Sequence, residues 1–171
     1  MTSKVAGMRP QPEQPGPGQE SVWDYPRPPR LEPSSEDVEV LLGGAVVART
    51  GASYRVLETS HPPTYYLPGN AFAEGVLRPV QGTTFCEWKG RAAYFDVVTP
   101  ARTVERSAWT YPTPSPGFEP LVDHVAVIPS LMDECRVDGE VVRPQEGGFY
   151  GGWITDRVAG PFKGRPGSWG W

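Results

Sequence analysis

The chain has 171 residues, 16 Lys and Arg against 20 Asp and Glu, a net charge of −4 and a pI near 5.2. That length suits one domain with a real hydrophobic core and is too short for two large ones. The basic residues are scattered rather than gathered in a stripe, which argues against a nucleic-acid partner, and no apolar run approaches the roughly 20 residues that span a bilayer, which argues against a membrane partner.

Two cysteines, Cys86 and Cys135, build neither a disulfide framework nor a metal-ligand pattern, so a reducing cytoplasm is expected, with no metal site. A homo-oligomer is compatible with this composition, and nothing in the sequence points to a cofactor.

From Met1 to about Ser35 the chain is rich in Pro among Gln, Gly and Ser, too poor in apolar residues to offset ordering entropy. This segment reads as a largely irregular arm in which Trp23 and Tyr25 dock on the domain surface. From residue 36 to Val142 the pattern becomes short runs rich in Val, Tyr and Thr with a period near two. Val38 to Leu42, Ala45 to Thr50 and Tyr54 to Thr59, separated by Gly43-Gly44 and Gly51-Ala52, read as an antiparallel meander. Thr64 to Leu67 is a further strand, and Asn70 reads as the N-cap of a short helix from Ala71 to Leu77.

Further strands are expected at Thr84 to Trp88, Arg91 to Val98, Thr103 to Tyr111 and His124 to Ile128. Asp138-Gly139 should close a last hairpin, since both positions tolerate positive φ. No segment holds a 3.6-residue apolar period over three turns, so the domain is mainly β, compact and antiparallel. Residues 143–171 interleave glycines with Phe149, Tyr150, Trp153, Phe162, Trp169 and Trp171, a pattern that predicts an extension packing across the sheet.

The segment Cys86-Glu87-Trp88-Lys89-Gly90 concentrates a thiol, a carboxylate, an indole and an amine. With Lys89-Gly90 as a hairpin turn, Cys86 and Trp88 would share one strand face and Glu87 and Lys89 the other. Together with Leu57-Glu58-Thr59 before Pro62-Pro63-x-Tyr65-Tyr66-Leu67-Pro68, and with Ala108-Trp109-x-Tyr111-Pro112, it resembles the family catalogued as domain of unknown function 427, over roughly Val38 to Val142. The closing Gly-aromatic stretches resemble an extension of some members. The resemblance implies a tent-like (Mss4-like) β domain, and it carries the label nucleotidyltransferase. Metal-assisted nucleotidyl transfer needs two or three carboxylates on Mg²⁺. Gly43-Gly44 is followed by no Asp-x-Asp pair, and Glu36-Asp37-Val38-Glu39 reads as a solvated edge.

Candidate catalytic residues are Glu58 as general base, Lys89 as electrostatic stabiliser and Cys86 as nucleophile. Candidate ligand-binding residues are Tyr66, Trp88, Tyr94, Trp109 and Tyr111, because Tyr and Trp combine apolar bodies with polar tips. His61 and His124 have no metal partner in sequence and read as structural. The main functional expectation is a small-molecule ligand held by these side chains. The alternatives are a non-catalytic interaction module using the arm and the extension, and a nucleotidyltransferase.

Overall fold

A computed structural model describes residues 9–148 and 150–171; the expectation for Phe149 falls outside the described residues. The chain forms two main antiparallel sheets. The larger has seven strands in the order β2 (Arg30–Ser34), β5 (Ser53–Leu57), β6 (Thr64–Pro68), β10 (His124–Val127), β9 (Thr103–Thr110), β8 (Gly90–Val98) and β7 (Leu77–Cys86). The smaller has four, ordered β12 (Glu140–Val141), β11 (Glu134–Val137), β3 (Val38–Leu42) and β4 (Ala45–Thr50). Short two-stranded pairs join β1 (Glu20–Ser21) to β15 (Val158–Ala159) and β13 (Arg143–Pro144) to β14 (Trp153–Ile154).

Local chemistry closes the tight turns. Gly43 and Gly44 have φ of 63° and 77°, and Asp138 and Gly139 have 50° and 82°, so both hairpins turn through paired positive-φ residues that match the strand twist. Alternation then buries one face of each strand: Val38, Val40 and Leu42 point inward on β3. They pack with Val47 and Cys135 against Leu67, Val97, Val125 and Val127 of the larger sheet, each such side chain contributing about 1.5–3 kcal/mol on burial. Tyr65 joins this core, whereas its neighbour Tyr66 joins a second cluster with Val56, Ala92, Tyr111 and Leu121. The larger sheet is therefore covered on both faces.

Four sequence expectations change. The first three β segments do not form one meander: β4 pairs only with β3, while β5 pairs with β2 and β6, so the chain changes sheets at Gly51-Ala52. The expected helix from Ala71 to Leu77 is a 3-10 turn at Gly69–Ala71, and Leu77 already opens β7. There the backbone finds partners on β4 instead, through a bridge between Phe72 and Ala48 and a bond from the Ala73 amide to the Val47 carbonyl at 2.8 Å. The hairpin after Cys86 turns over Glu87, Trp88 and Lys89, with Cys86 opposite Gly90, whose φ of 108° closes the turn. Trp88 therefore sits in the turn, not on a strand face with Cys86.

Finally, the arm contributes structure. Its last residues form β2, paired with β5 from Arg30↔Leu57 to Ser34↔Ser53, and Pro33 is accommodated because β2 is an edge strand. Glu20, Glu32 and Tyr25 converge on the fully buried side chain of Arg55. Arg157 of the extension reaches Glu36 at 3.0 Å, and Glu36 accepts the Tyr65 hydroxyl at 2.8 Å. This part of the acidic stretch is thus built into an ion-pair network that ties arm and extension to the sheet.

Candidate functional site

A cavity of about 660 Å³ lies between the second face of the larger sheet and the extension. Its floor is aromatic. Trp109 on β9 pairs with Tyr94 on β8 and with Ala126 on β10, and Ala126 is small enough for the Trp109 indole to reach over β10 towards Tyr66 on β6. The two rings stand edge to face at 6.2 Å, and the indole Nε1 donates to the Tyr66 hydroxyl at 3.1 Å. Tyr111 closes the row, 6.2 Å from Tyr66. Burial, above all other influences, holds the phenols of Tyr66 and Tyr111 well above their ordinary range, so both stay protonated at any ordinary pH.

The polar wall comes from the loop after β5. Glu58 accepts from Arg27 Nε at 3.1 Å, and His61 Nε2 lies 3.6 Å from the same Glu58 oxygen. Both tails grip this loop: the amides of Thr59 and Ser60 donate to the Pro26 and Val22 carbonyls, and the Lys163 amide donates to the Ser60 carbonyl at 2.8 Å. Ser60 takes φ of 73° within that grip.

Gln145 settles the protonation of His61. Its Oε1 accepts from the Gly152 amide at 3.1 Å, and its Nε2 donates to the Lys163 carbonyl at 2.8 Å, so the orientation of the amide is fixed by two backbone groups. Nε2 also lies 3.2 Å from His61 Nδ1, which must therefore be the acceptor, leaving the ring proton on Nε2, towards Glu58. Burial is the main cause that lowers the His61 pKa to about 4, against the attraction of Glu58 and with the help of Lys163, Arg27 and Lys89. His61 is neutral at pH 7.

Glu58, Lys89, Tyr66, Tyr94, Trp109 and Tyr111 all line this one cavity. Cys86 and Trp88 do not line it; they are half-buried against the second apolar cluster. Among the described residues no group of three or more His, Cys, Asp or Glu side chains is placed to hold a metal ion.

The family model of the domain of unknown function DUF427, labelled NTP_transf_9, matches residues 30–138. The chain belongs to this family. No curated protein matches it. The DUF427 domain supplies the aromatic floor together with Glu58, His61, Lys89 and Arg106, whereas Gln145, Tyr150, Gly151 and Lys163 lie beyond the matched span. His61, Arg106, Gln145, Tyr150 and Gly151 are those that sequence reasoning missed as site residues, whereas Lys163 could be read as a cation at the rim for an anionic ligand or a partner. For His61 the local signal was confined to Glu58 three positions earlier, since Gln145, which fixes its ring, is 84 positions away. A signal did exist for the extension: Gly151 lies so close to Trp109 that a Cβ there would overlap the indole ring, which explains a glycine among aromatics.

The nucleotidyltransferase label can be set against this inventory. Glu58 is the one carboxylate among the cavity's lining residues, and it is engaged by Arg27. That donor set does not fit a Mg²⁺ centre for phosphoryl chemistry, which uses more than one carboxylate. No helix among the described residues is long and apolar enough to cross a membrane.

Proposed function

We propose that this DUF427 protein binds a small molecule in the cavity between sheet and extension, with the aromatic row holding its flat apolar body and Glu58 and Lys89 fixing its polar end. The observation that carries the reading is the convergence of Glu58 and Lys89 with Tyr66, Tyr94, Trp109 and Tyr111 on a single cavity of about 660 Å³, a volume within the range of small-molecule sites. Glu58 is held by Arg27 and faces His61, so the carboxylate is oriented before a ligand arrives. Thermal-shift screening of a metabolite library tests this. A ligand at 100 times its Kd stabilises the folded state by about 2.7 kcal/mol, and the shift should shrink in Glu58→Gln and Lys89→Ala. A library that raises the melting temperature of neither the parent chain nor the variants removes the reading.

A second reading, an interaction module, is favoured by Phe85, which is 75% exposed on the edge strand β7. Phe85→Ser would abolish self-association or partner capture in that case, and would leave small-molecule binding intact in the first.

A further inference from the structure

The cavity is cationic in an acidic protein. Its lining includes Lys89, Lys163 and Arg106 against the single carboxylate of Glu58, in a chain of net charge −4. His61 adds no charge at neutral pH, since burial keeps it unprotonated.

Lysine usage sharpens this. The chain has three lysines, Lys4, Lys89 and Lys163, and thirteen arginines. Both lysines within the described residues line this cavity. Nine arginines pair with a carboxylate within 4.0 Å. Among the described residues Lys89, Lys163 and Arg106 pair with no Asp or Glu side chain; their contacts are of other kinds. Lys89 Nζ lies over the Tyr111 ring at 5.8 Å. Arg106 stacks on Tyr94 at 4.3 Å and donates to the Gln81 carbonyl at 3.0 Å. Lys163 Nζ donates to a main-chain oxygen of Trp171 at 3.2 Å, which leaves two of its three N–H donors. An ammonium is a compact point charge on a flexible stem, suited to meeting an anion between aromatic walls, whereas a guanidinium favours a planar fork.

On the reading that the cavity binds a small molecule, we propose that its ligand is a planar aromatic anion, a carboxylate or a phosphate ester, whose charge meets Lys89 from the family domain and Lys163 from the extension while its ring lies on the Tyr66-Trp109 floor. The extension is then part of the site and not only a cover for it. The same arrangement selects against cations and against aliphatic anions too small to reach both the floor and the lysines.

The probes are 1-naphthoate and 1-naphthyl phosphate, each compared with a neutral isostere, 1-naphthamide and 1-naphthol, in calorimetric titrations of the full chain. At least one anion should bind, and about tenfold more tightly than its isostere, because losing a charge-assisted hydrogen bond costs on the order of one decade in affinity. Lys89→Met and Lys163→Met, checked for folding by far-UV circular dichroism, should each lose about tenfold towards the anion and little towards the isostere. Salt titration of the unaltered chain should weaken only the anions. Isosteres that bind as tightly as the anions, in a way that Tyr66→Phe or Trp109→Phe weakens, would overturn the anionic class and leave the small-molecule site standing. Failure of all four probes to bind, or binding that no cavity variant changes, would overturn both.

Discussion

Gln145 Nε2 donates to His61 Nδ1 at 3.2 Å, across 84 positions of sequence, and this contact joins the extension to the loop that carries Glu58. It fixes the tautomer of a buried imidazole whose Nε2–H then faces a carboxylate. The consequence is a pH dependence with a definite sign. The folded state keeps His61 neutral down to about pH 4, whereas the unfolded chain protonates it at the ordinary 6.5. The unfolded state therefore binds more protons between these values, and stability falls as pH drops through that window and is unchanged above it. The full difference is about 3 kcal/mol. Melting temperature measured from pH 8 to pH 4.5 should decline below about 6.5 in the parent chain, and His61→Gln should flatten that decline. An equal slope in both proteins would place the titrating group elsewhere.

A second, more acidic window belongs to the carboxylates of Glu20 and Glu36. Burial pushes each upward, but the hydroxyls of Tyr25 and Tyr65 with the cations Arg55 and Arg157 outweigh it, and both end below the ordinary 4.5. Their contribution is complete above 4.5 and is lost as pH falls through the lowered folded values. Arg55→Met should reduce the part of this acid sensitivity that belongs to Glu20 and leave the part that belongs to Glu36. It should also cost about 2–3 kcal/mol at neutral pH, at the low end for a broken buried pair, since Glu20 and Glu32 remain 32% and 34% exposed. Chemical denaturation at pH 7 and pH 4 measures both effects.

The parts of this molecule that could be read from sequence are those governed by adjacent residues. Gly43-Gly44 and Asp138-Gly139 turn where paired positive-φ residues demand it, and Tyr66, Trp109 and Tyr111 converge because strand alternation places them on one face of one sheet. What could not be read depends on distant partners. Nothing near Gly51 says that β5 should leave β4 for β2, because that choice depends on the apolar and ionic partners that the arm brings through Leu31, Glu32 and Glu20. The segment after Asn70 had the composition of a helical turn, yet Ala48 and Val47 captured its backbone. His61 read as structural for the same reason, since its partners Gln145 and Tyr150 sit in another part of the chain.

Lys89→Ala and Glu58→Gln should separate binding from folding. Lys89 pairs with no carboxylate among the described residues, and the Glu58–Arg27 pair is partly exposed, at 23% and 37%. Such positions cost on the order of 0.5–1 kcal/mol, or roughly 1–4 °C in a chain of this size. Each variant should therefore melt near the parent, while affinity for 1-naphthoate falls in Lys89→Ala and does not fall in Glu58→Gln, which removes the one carboxylate that repels the anion. Unfolding of both variants at 25 °C would make the pair structural and remove the argument for a site.

Gly151→Ala tests the floor from the opposite side. The added Cβ would overlap the Trp109 indole, and overpacking of a rigid ring against backbone costs about 1–3 kcal/mol. Either Trp109 leaves Tyr66 or the segment from Gln145 to Trp153 lifts. Both outcomes reduce probe affinity and lower the melting temperature, and the change in tryptophan fluorescence should follow the same transition. Gly51→Ala is the control, since a Cβ there meets nothing within 4 Å and Gly51 does not line this cavity, and it should behave as the parent chain does.

Removal of residues 143–171 should be more damaging than loss of a cover. Trp153 is fully buried in the main core, 5.0 Å from the Tyr65 ring, and its amide donates to the Pro63 carbonyl at 2.7 Å. Deletion exposes Tyr65 and strips Arg157 from Glu36 and Glu20, so apolar and ionic terms are lost together. Trp169, by contrast, is 74% exposed, and Trp169→Ala should leave stability within about 0.5 kcal/mol of the parent. Trp153→Ala alone should cost about 3–5 kcal/mol, a drop of roughly 6–20 °C in melting temperature. The truncated chain should fall at least as far or aggregate in sedimentation velocity runs. If instead it melts and sediments as the parent chain does, while Trp153→Ala is damaging, the sheet must close over the vacated space, and the extension would then serve the cavity through Lys163 and Gln145 rather than the stability of the fold.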